Sequence, residues 1–570
     1  MADVGLKVLE GMDSGASLLR GASKRNIGLL GQFIRGAAFK PIKITSLEDF
    51  NVIFGGASSS YFGPAIVKSI FDEAGNAPVT LFLARVVGSS AAAATATIAL
   101  ANSKTMTVTA GYKGSQDEGA WANGMGVYLY SFGSRVRNMF SLVITYKDKT
   151  EQYDGSTLAE IQNNVNKVSK LITIAFSGEI EKDSKSAIAG TITAATSSNE
   201  VNGASTQFTT DLAVGNVLYD GNNALIGTVA SIVSDTKLLL TSRALVAVNA
   251  ASAKKRDDAV YSGSLAGGVD GSVTESDFYP VPNIPQPKGL ACFDGVDVQI
   301  IGVTEYHSLT MATQLSNYVN DRKKALGVCN LPLNADEGTA ELYANALQRS
   351  KSFMAGAYLG WATVLDENGN QMQIPAMGPV LGAGFLRTPY ISGDFIHIPP
   401  AGLDSMFYNV VDMTNRHLSQ STINKLVQEF SCNVIREIEN VGFYVGSSRT
   451  YSLSPLHQSI HIRLQTSFYL RDLDVKLKFM EQKPRTPELI NEALMTLRRY
   501  FQTEYDNGAL ERSLTFEQAY QGICNKSNNP TGQDRKLINI DCLWVPTECT
   551  ESIRLTLQRN DNILTTAETE

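Results

Sequence analysis

Val79-Thr80-Leu81-Phe82-Leu83-Ala84-Arg85-Val86-Val87 is rich in β-branched and large apolar residues and carries one charge. Such a run reads as a central strand. Just upstream, Gly63-Pro64 opens a helix, with Pro at an early position where its missing N–H costs nothing. Val67, Ile70 and Phe71 lie on one face of that helix, and Gly75 ends it. Further back, Ser46-Leu47-Glu48-Asp49-Phe50 has the Ser N-cap and acidic first turn of another helix. Lys40-Pro41-Ile42-Lys43-Ile44 and Ile27-Gly28-Leu29-Leu30-Gly31-Gln32-Phe33 read as strands. Residues 26–88 are thus a compact α/β unit.

The same alternation returns late in the chain. Val296-Asp297-Val298-Gln299-Ile300-Ile301-Gly302-Val303 reads as a strand, with Val296, Val298 and Ile300 on one face. A helix capped by Ser308 runs over 309–322, a strand over 325–332, a helix over 335–353, and a strand follows 356–361. A further helix begins at the Pro/Gly turn in 375–388. Strands alternating with helices predict layered α/β domains. Between the two halves, 106–110, 127–130, 140–146 and 172–176 read as strands. Thr157 and Glu160 form a capping-box pattern for one helix.

At about residue 187 the texture changes, and aromatic residues and helix signals thin out until about 256. Ile192, Phe208-Thr209-Thr210, 215–219, 226–230 and 237–240 read as five short strands, with a turn at Gly221-Asn222-Asn223. This predicts a small all-β insert facing outward. Lys254-Lys255-Arg256 reads as a solvated linker at its boundary. In the last part, Pro487 to Tyr505 is a helix with Ile490, Leu494, Leu497 and Phe501 as its apolar stripe. At the two ends, Val4, Leu6 and Val8, and Ile553, Leu555 and Leu557, alternate with period two. Each set reads as an extended strand arm, whose bare N–H and C=O groups invite a sheet edge elsewhere. The tail after the second arm reads as disordered.

The domain plan is therefore an arm over 1–25, an α/β domain over 26–186 and the β insert over 187–256. An α/β domain over 257–424, a C-terminal core over 425–550 and an arm with tail over 551–570 complete it. The 570 residues are 43% hydrophobic and 18% charged, ordinary for a globular chain. A net charge of −7 argues against broad nucleic-acid binding. The most apolar stretch, 91–101, is too short to cross a bilayer. The N-terminus has no basic flank before an apolar core, so no secretory signal is expected. The six cysteines are scattered and read as reduced, buried thiols.

Chemistry-bearing motifs are missing. There is no P-loop, no Gly-x-Ser-x-Gly, and no complete dinucleotide fingerprint at Gly382-Ala383-Gly384. His457 and His461 are four apart, which on a helix could ligate a metal. Ile460, Ile462 and Leu464 predict a strand there instead, which separates the rings. No catalytic, cofactor-binding or metal-ligating residue is assigned.

Several short motifs remain. In order they are Arg35-Gly36, Lys40-Pro41, Phe54-Gly55-Gly56, Tyr61-Phe62-Gly63-Pro64, Arg85-Val86 and Leu265-Ala266-Gly267-Gly268-Val269-Asp270-Gly271. Ile374-Pro375 with Gly378, Ile398-Pro399-Pro400-Ala401, Asn433-Val434-Ile435-Arg436, Gly446-Ser447-Ser448-Arg449-Thr450, Ile462-Arg463 and Asn528-Asn529-Pro530 follow. In this order the chain resembles the contractile tail sheath proteins of contractile-tailed phages and related injection machines. It departs from them in carrying Val and Ser within 445–450, where an aromatic residue and Ala are frequent. It also carries Ile462-Arg463 where many have Arg-Arg.

The resemblance implies a structural subunit with no active site. Such subunits stack as hexameric rings around a tail tube and contract by rotation and repacking. The terminal arms, here Val4, Leu6, Val8 and Ile553, Leu555, Leu557, would add strands to a sheet in neighbouring copies. Arg436, Arg449 and Arg463 become candidates for contacts with another subunit or the tube, with Glu437 and Glu439 as intrachain alternatives. The implied partners are further copies of the chain, the tail tube protein, and baseplate and tail terminator proteins. Direct nucleic-acid contact and stable membrane insertion are not implied. The implied location is a virion tail assembled in a host bacterial cytoplasm. Two other classes stay open: a non-contractile virion or surface-binding module with a glycan- or receptor-binding insert, and an enzyme with an unrecognised site.

Overall fold

Residues 25–133, 138–147, 149–180, 185–256, 259–282, 285–366, 369–530 and 537–551 are described in a computed structural model. Its centre is a five-stranded sheet in the order Ile42–Ile44, Leu81–Arg85, Ile27–Gly31, Ile300–Val303, Leu326–Val328. The last four run parallel, and Ile42–Ile44 closes one edge antiparallel. Ile27 pairs with Leu81 on one side and with Ile300 on the other. Segments more than two hundred residues apart are therefore neighbours in one sheet, and everything between Arg85 and Ile300 is built outward from it.

The central strands are buried on both faces, and successive side chains enter two different cores. Leu29, Leu83, Ile300 and Val328 face the helices Leu47–Phe54 and Phe62–Ala74 through Phe50, Phe54, Ile66 and Ile70. Leu30, Ala84, Ile301 and Val303 face the helices Leu309–Arg322 and Glu337–Leu347 through Leu315, Val319, Tyr343 and Leu347. This is a layered α/β arrangement, as the alternation of strands and helices predicts. Each fully buried Leu or Ile contributes about 1.5–3 kcal/mol relative to exposure.

The caps follow the sequence closely. Ser46 Oγ accepts the Asp49 N–H, Ser308 Oγ the Met311 N–H, and Thr486 Oγ1 the Leu489 N–H. Thr157 caps its helix, but the capping box is not closed. Glu160 accepts the Ser156 N–H, and Glu179 takes the N–H groups of Leu158 and Ala159.

Two β units extend from the central sheet. In one, a four-stranded sheet built on Thr105–Tyr112 faces another built on Gly126–Gly133 and Asn138–Tyr146, around Val108, Leu129, Leu142 and Ile144. In the other, residues 185–256 form eight strands around Val201, Phe208, Leu218, Ile226 and Leu238. Its first strand, Lys185–Ala187, and its last, Ala253–Arg256, pair antiparallel, so the chain enters and leaves side by side.

Five local readings are corrected. Residues 460–464 are not a strand but the first turns of the helix Ile460–Lys476. Their apolar-polar alternation misleads because the alternating polar residues His461, Arg463 and Gln465 are buried too. Phe208-Thr209-Thr210 is helical, its first turn held by the Asp235 carboxylate accepting the Thr209 N–H. Lys254-Lys255-Arg256 is strand, paired on both sides, with Lys255 Nζ on the Asp211 carbonyl. The helix expected over 335–353 spans Glu337–Leu347, because Arg349 instead exchanges backbone bonds with Tyr451 and Leu453. The strand expected from Val296 begins at Ile300, since 293–298 is tied up in a turn.

The C-terminal part packs the helices Ile460–Lys476 and Pro487–Asp506 against a two-stranded sheet, Tyr520–Ile523 with Asp541–Trp544. An aromatic cluster joins them: Phe501 stacks on Tyr520 at 4.4 Å, and Tyr469 meets Phe501 edge-on at 5.3 Å. The buried stripe of the second helix is Leu489, Ala493, Leu497 and Phe501. Ile490 and Leu494 lie half-buried at its border.

Candidate assembly surface

The short motifs found in the sequence divide into those that hold the fold and those that reach the surface. Arg85 is buried and donates to the carbonyls of Phe33 and Gly36 and to Asp117 Oδ1 at 3.1 Å. Its other arm meets Asp270 Oδ1 at 3.1 Å, at the end of the glycine-rich loop. Arg35 lies 3.7 Å from Asp117 Oδ2 and stacks on Trp121. Two motif arginines distant in sequence thus meet at one buried carboxylate. Burial pushes the Asp117 carboxyl up to about 6 against the pull of Arg85 and Arg35. In the Tyr61-Phe62-Gly63-Pro64 motif, the N–H groups of Phe62 and Gly63 donate to Glu305. A Cβ on Gly63 would lie 2.5 Å from the Gln32 carbonyl.

The C-terminal motifs meet at Asn433, which is fully buried. Its Nδ2 donates to the carbonyls of Gly356 and Arg449, and its Oδ1 accepts the Arg449 N–H and the Ser447 hydroxyl. One amide thus pins the 446–450 loop to the strand Asn433–Ile438. Beside this loop, a groove of about 570 Å³ is lined by Gln420, Val427, Arg436, Ser447, Thr550 and Glu551.

The three candidate arginines sit differently. Arg436 is half-buried and donates to Gln420 Oε1 at 2.8 Å, not to Glu437 or Glu439. Arg449 donates to Gln458 Oε1 at 2.8 Å and is ion-paired with Glu551. Arg463 is buried on the first turn of its helix, over the Phe353 ring. Sequence reasoning grouped them, but they share no single site. The groove holds Arg436, a neighbouring cavity that shares Glu551 holds Arg449, and Arg463 lines neither.

The six arm residues Val4, Leu6, Val8, Ile553, Leu555 and Leu557 lie outside the described residues, as does the tail. The roots of the arms do not. Arg25 is ion-paired with Asp394, and Glu551 with Arg449. Burial lowers the basicity of His397, with Arg512 and Arg25 adding to it, and burial lowers that of His461, with a small addition from His397. His461 Nε2 lies 3.3 Å from the Thr547 carbonyl. Close by, the two-stranded sheet has no third strand among the described residues. One face packs on the aromatic cluster, and Leu543 on the other is exposed. A lone two-stranded ribbon is marginal in water.

His457 lies in a short turn and His461 on the helix, so the strand argument against a shared metal does not hold. Among the described residues, no cluster of three His, Cys, Asp or Glu is placed to hold a metal ion. Burial pushes the His461 imidazole down to about 4. Cys292, Cys329 and Cys432 are buried free thiols, while Cys524, Cys542 and Cys549 are half-buried. Among the described residues, no helix is long and apolar enough to cross a membrane.

No family model matches the chain, and no curated protein matches it in sequence. Solved structures do. The sheath tail protein from Listeria innocua superposes with a TM-score of 0.52 at 13% identity, over 93% of this chain and 97% of that one. The sheath tail protein from Desulfitobacterium hafniense gives 0.49 at 12% identity, over 92% and 97%. The sheath complex of an extracellular contractile injection system, in its contracted state, gives 0.39 at 15% identity over 47% and 72%. The chain has the fold of a sheath tail protein.

Proposed function

We propose that this protein is the subunit of a contractile tail sheath. The observation that carries the reading beyond the fold is the ribbon Tyr520–Ile523/Asp541–Trp544, which has no third strand among the described residues and from which the chain runs on to Glu551 and the C-terminal segment. A ribbon with two free edges accepts one strand on each side. The segments containing Val4, Leu6 and Val8, and Ile553, Leu555 and Leu557, supply those strands to neighbouring copies. Copies joined head to tail in this way do not close on themselves, so they extend as a helix of stacked hexameric rings. A tail tube protein fills the cylinder, and baseplate and terminator proteins bound its ends in a virion tail.

Contraction then needs no nucleotide. The exchanged strands keep copies linked while the packed domains rotate from one lattice to a shorter, wider one with more buried interface. The sheath works as a structural element and drives the tube through the target envelope.

Electron microscopy of the purified full-length protein tests this. Long hollow cylinders with stacked rings are expected, in the contracted lattice because no tube templates the extended one. Dispersed monomers alone count against the reading. Deleting residues 1–22 should leave a folded monomer, with unchanged circular dichroism, that no longer forms long cylinders. Normal polymerisation of that deletion removes strand exchange from the mechanism.

A further inference from the structure

Five arginines are buried among the described residues: Arg35, Arg85, Arg387, Arg463 and Arg471. Four of them have a carboxylate: Asp117 serves Arg35 and Arg85, Glu73 serves Arg387, and Asp297 serves Arg471. Arg463 has none. It is 3% exposed, and its Nε and Nη2 are closed off with no acceptor. Among the described residues its guanidinium packs on the face of Phe353, 4.3 Å from the guanidinium carbon. Desolvation alone pushes this guanidinium down to about 10. A buried cation left without a counter-ion is strongly unfavourable, and natural folds pair it.

Arg463 lies in the first turn of a 17-residue helix whose N-cap, Ser459, makes no side-chain cap bond. That end of the helix carries positive partial charge and unsatisfied N–H groups. His457 sits close enough to Arg463 and Lys351 for both to lower its basicity, after burial, and its Nδ1 is buried without a partner. In the segment leading into this helix, Leu453 and Leu456 stand exposed at 59% and 72%. The place joins a buried cation to a helix N-terminus, and among the described residues no carboxylate is paired with that cation.

We infer that Arg463 is one half of an ion pair whose other half is an Asp or Glu carboxylate of a second copy of this chain, docked at the segment that leads into the helix. The inference rests on the sheath reading, which brings copies into contact. Acidic residues outnumber basic ones by 56 to 49, so the chain as a whole carries carboxylates in excess. The nitrogen open to such a partner is Nη1, since Nε and Nη2 are shut off.

The test uses full-length protein. Replacing the guanidinium by an apolar chain, Arg463→Met, removes an unpaired charge from the monomer and the anchor from the assembly. Its monomer Tm should stay level or rise, while its assembled fraction falls at least tenfold. A lowered monomer Tm would show that Arg463 serves its own chain, and wild-type assembly of Arg463→Met would show that it anchors nothing; either overturns the inference. The charge-keeping variant Arg463→Lys should restore assembly. Assembled from a mixture of ¹⁴N and ¹⁵N chains, its introduced amine is then joined to a touching carboxylate with a zero-length carbodiimide. Links between a heavy and a light peptide are expected. Links within one isotope only, or to a different protein, overturn the second copy as the source. A wild-type chain that never assembles removes the sheath reading and this contact together. A wild type that assembles beside an unaffected Arg463→Met removes this contact alone.

Discussion

At the residue scale, two buried groups in the C-terminal part carry measurable consequences. Asn433 makes four side-chain hydrogen bonds inside the protein. Removing it strands two carbonyls and an N–H in a dry site. Asn433→Ala should cost about 3 kcal/mol in urea unfolding, with the 446–450 loop the first segment to exchange its amides. His461 is held neutral by burial, and so is His307, each pushed from 6.5 down to about 4. The unfolded chain binds protons on these rings between 6.5 and 4 and the folded chain does not. Their contribution is therefore complete above 6.5 and is lost as pH falls through that window. Each should remove about 2 kcal/mol between pH 7.5 and 5. His461→Gln keeps a donor for the Thr547 carbonyl and should flatten half of that loss, as read by unfolding curves at the two pH values.

At the element scale, sequence periodicity was reliable where an element has one wet face. The helix Pro487–Asp506 begins at its Thr cap and Pro, and its length agrees with the reading. The stripe is displaced by one residue at its start, because the aromatic cluster draws Leu489 and Ala493 inward rather than Ile490 and Leu494. Leu497→Ala, at a fully buried position, should cost about 2–5 kcal/mol. Ile490→Ala, at the border, should cost under about 1.5 kcal/mol. Equal effects in thermal unfolding would place the stripe where periodicity alone put it. The helix Ile460–Lys476 was unreadable for the opposite reason. Its first turns are buried on every side, polar residues included, so no period separates inside from outside.

At the scale of the whole molecule, the layout around the central sheet makes one part removable. Residues 185–256 enter and leave through paired neighbouring strands and keep their own core. Excising 187–256 should therefore leave a folded chain that still polymerises, as seen by electron microscopy and circular dichroism. Loss of assembly would turn this unit from outward decoration into a lattice contact.

The sequence by itself determined the elements whose signals are local. Caps at Ser46, Thr157 and Ser308 and the apolar run through Leu81–Arg85 are written in adjacent residues. Cap chemistry and strand burial act within a few residues, so they survive without knowledge of the rest. The ordered motifs also pointed to the sheath fold, because many short constraints in a fixed order are hard to meet otherwise. Only the tertiary structure decided which distant segments meet. Ile27 lies beside both Leu81 and Ile300, Asp117 lies between Arg35 and Arg85, and the two-stranded ribbon of the C-terminal part has no third strand among the described residues. It also separated Arg463 from Arg436 and Arg449, which look alike in sequence. Whether a buried charge finds its counter-ion depends on packing in three dimensions, and no local pattern encodes it.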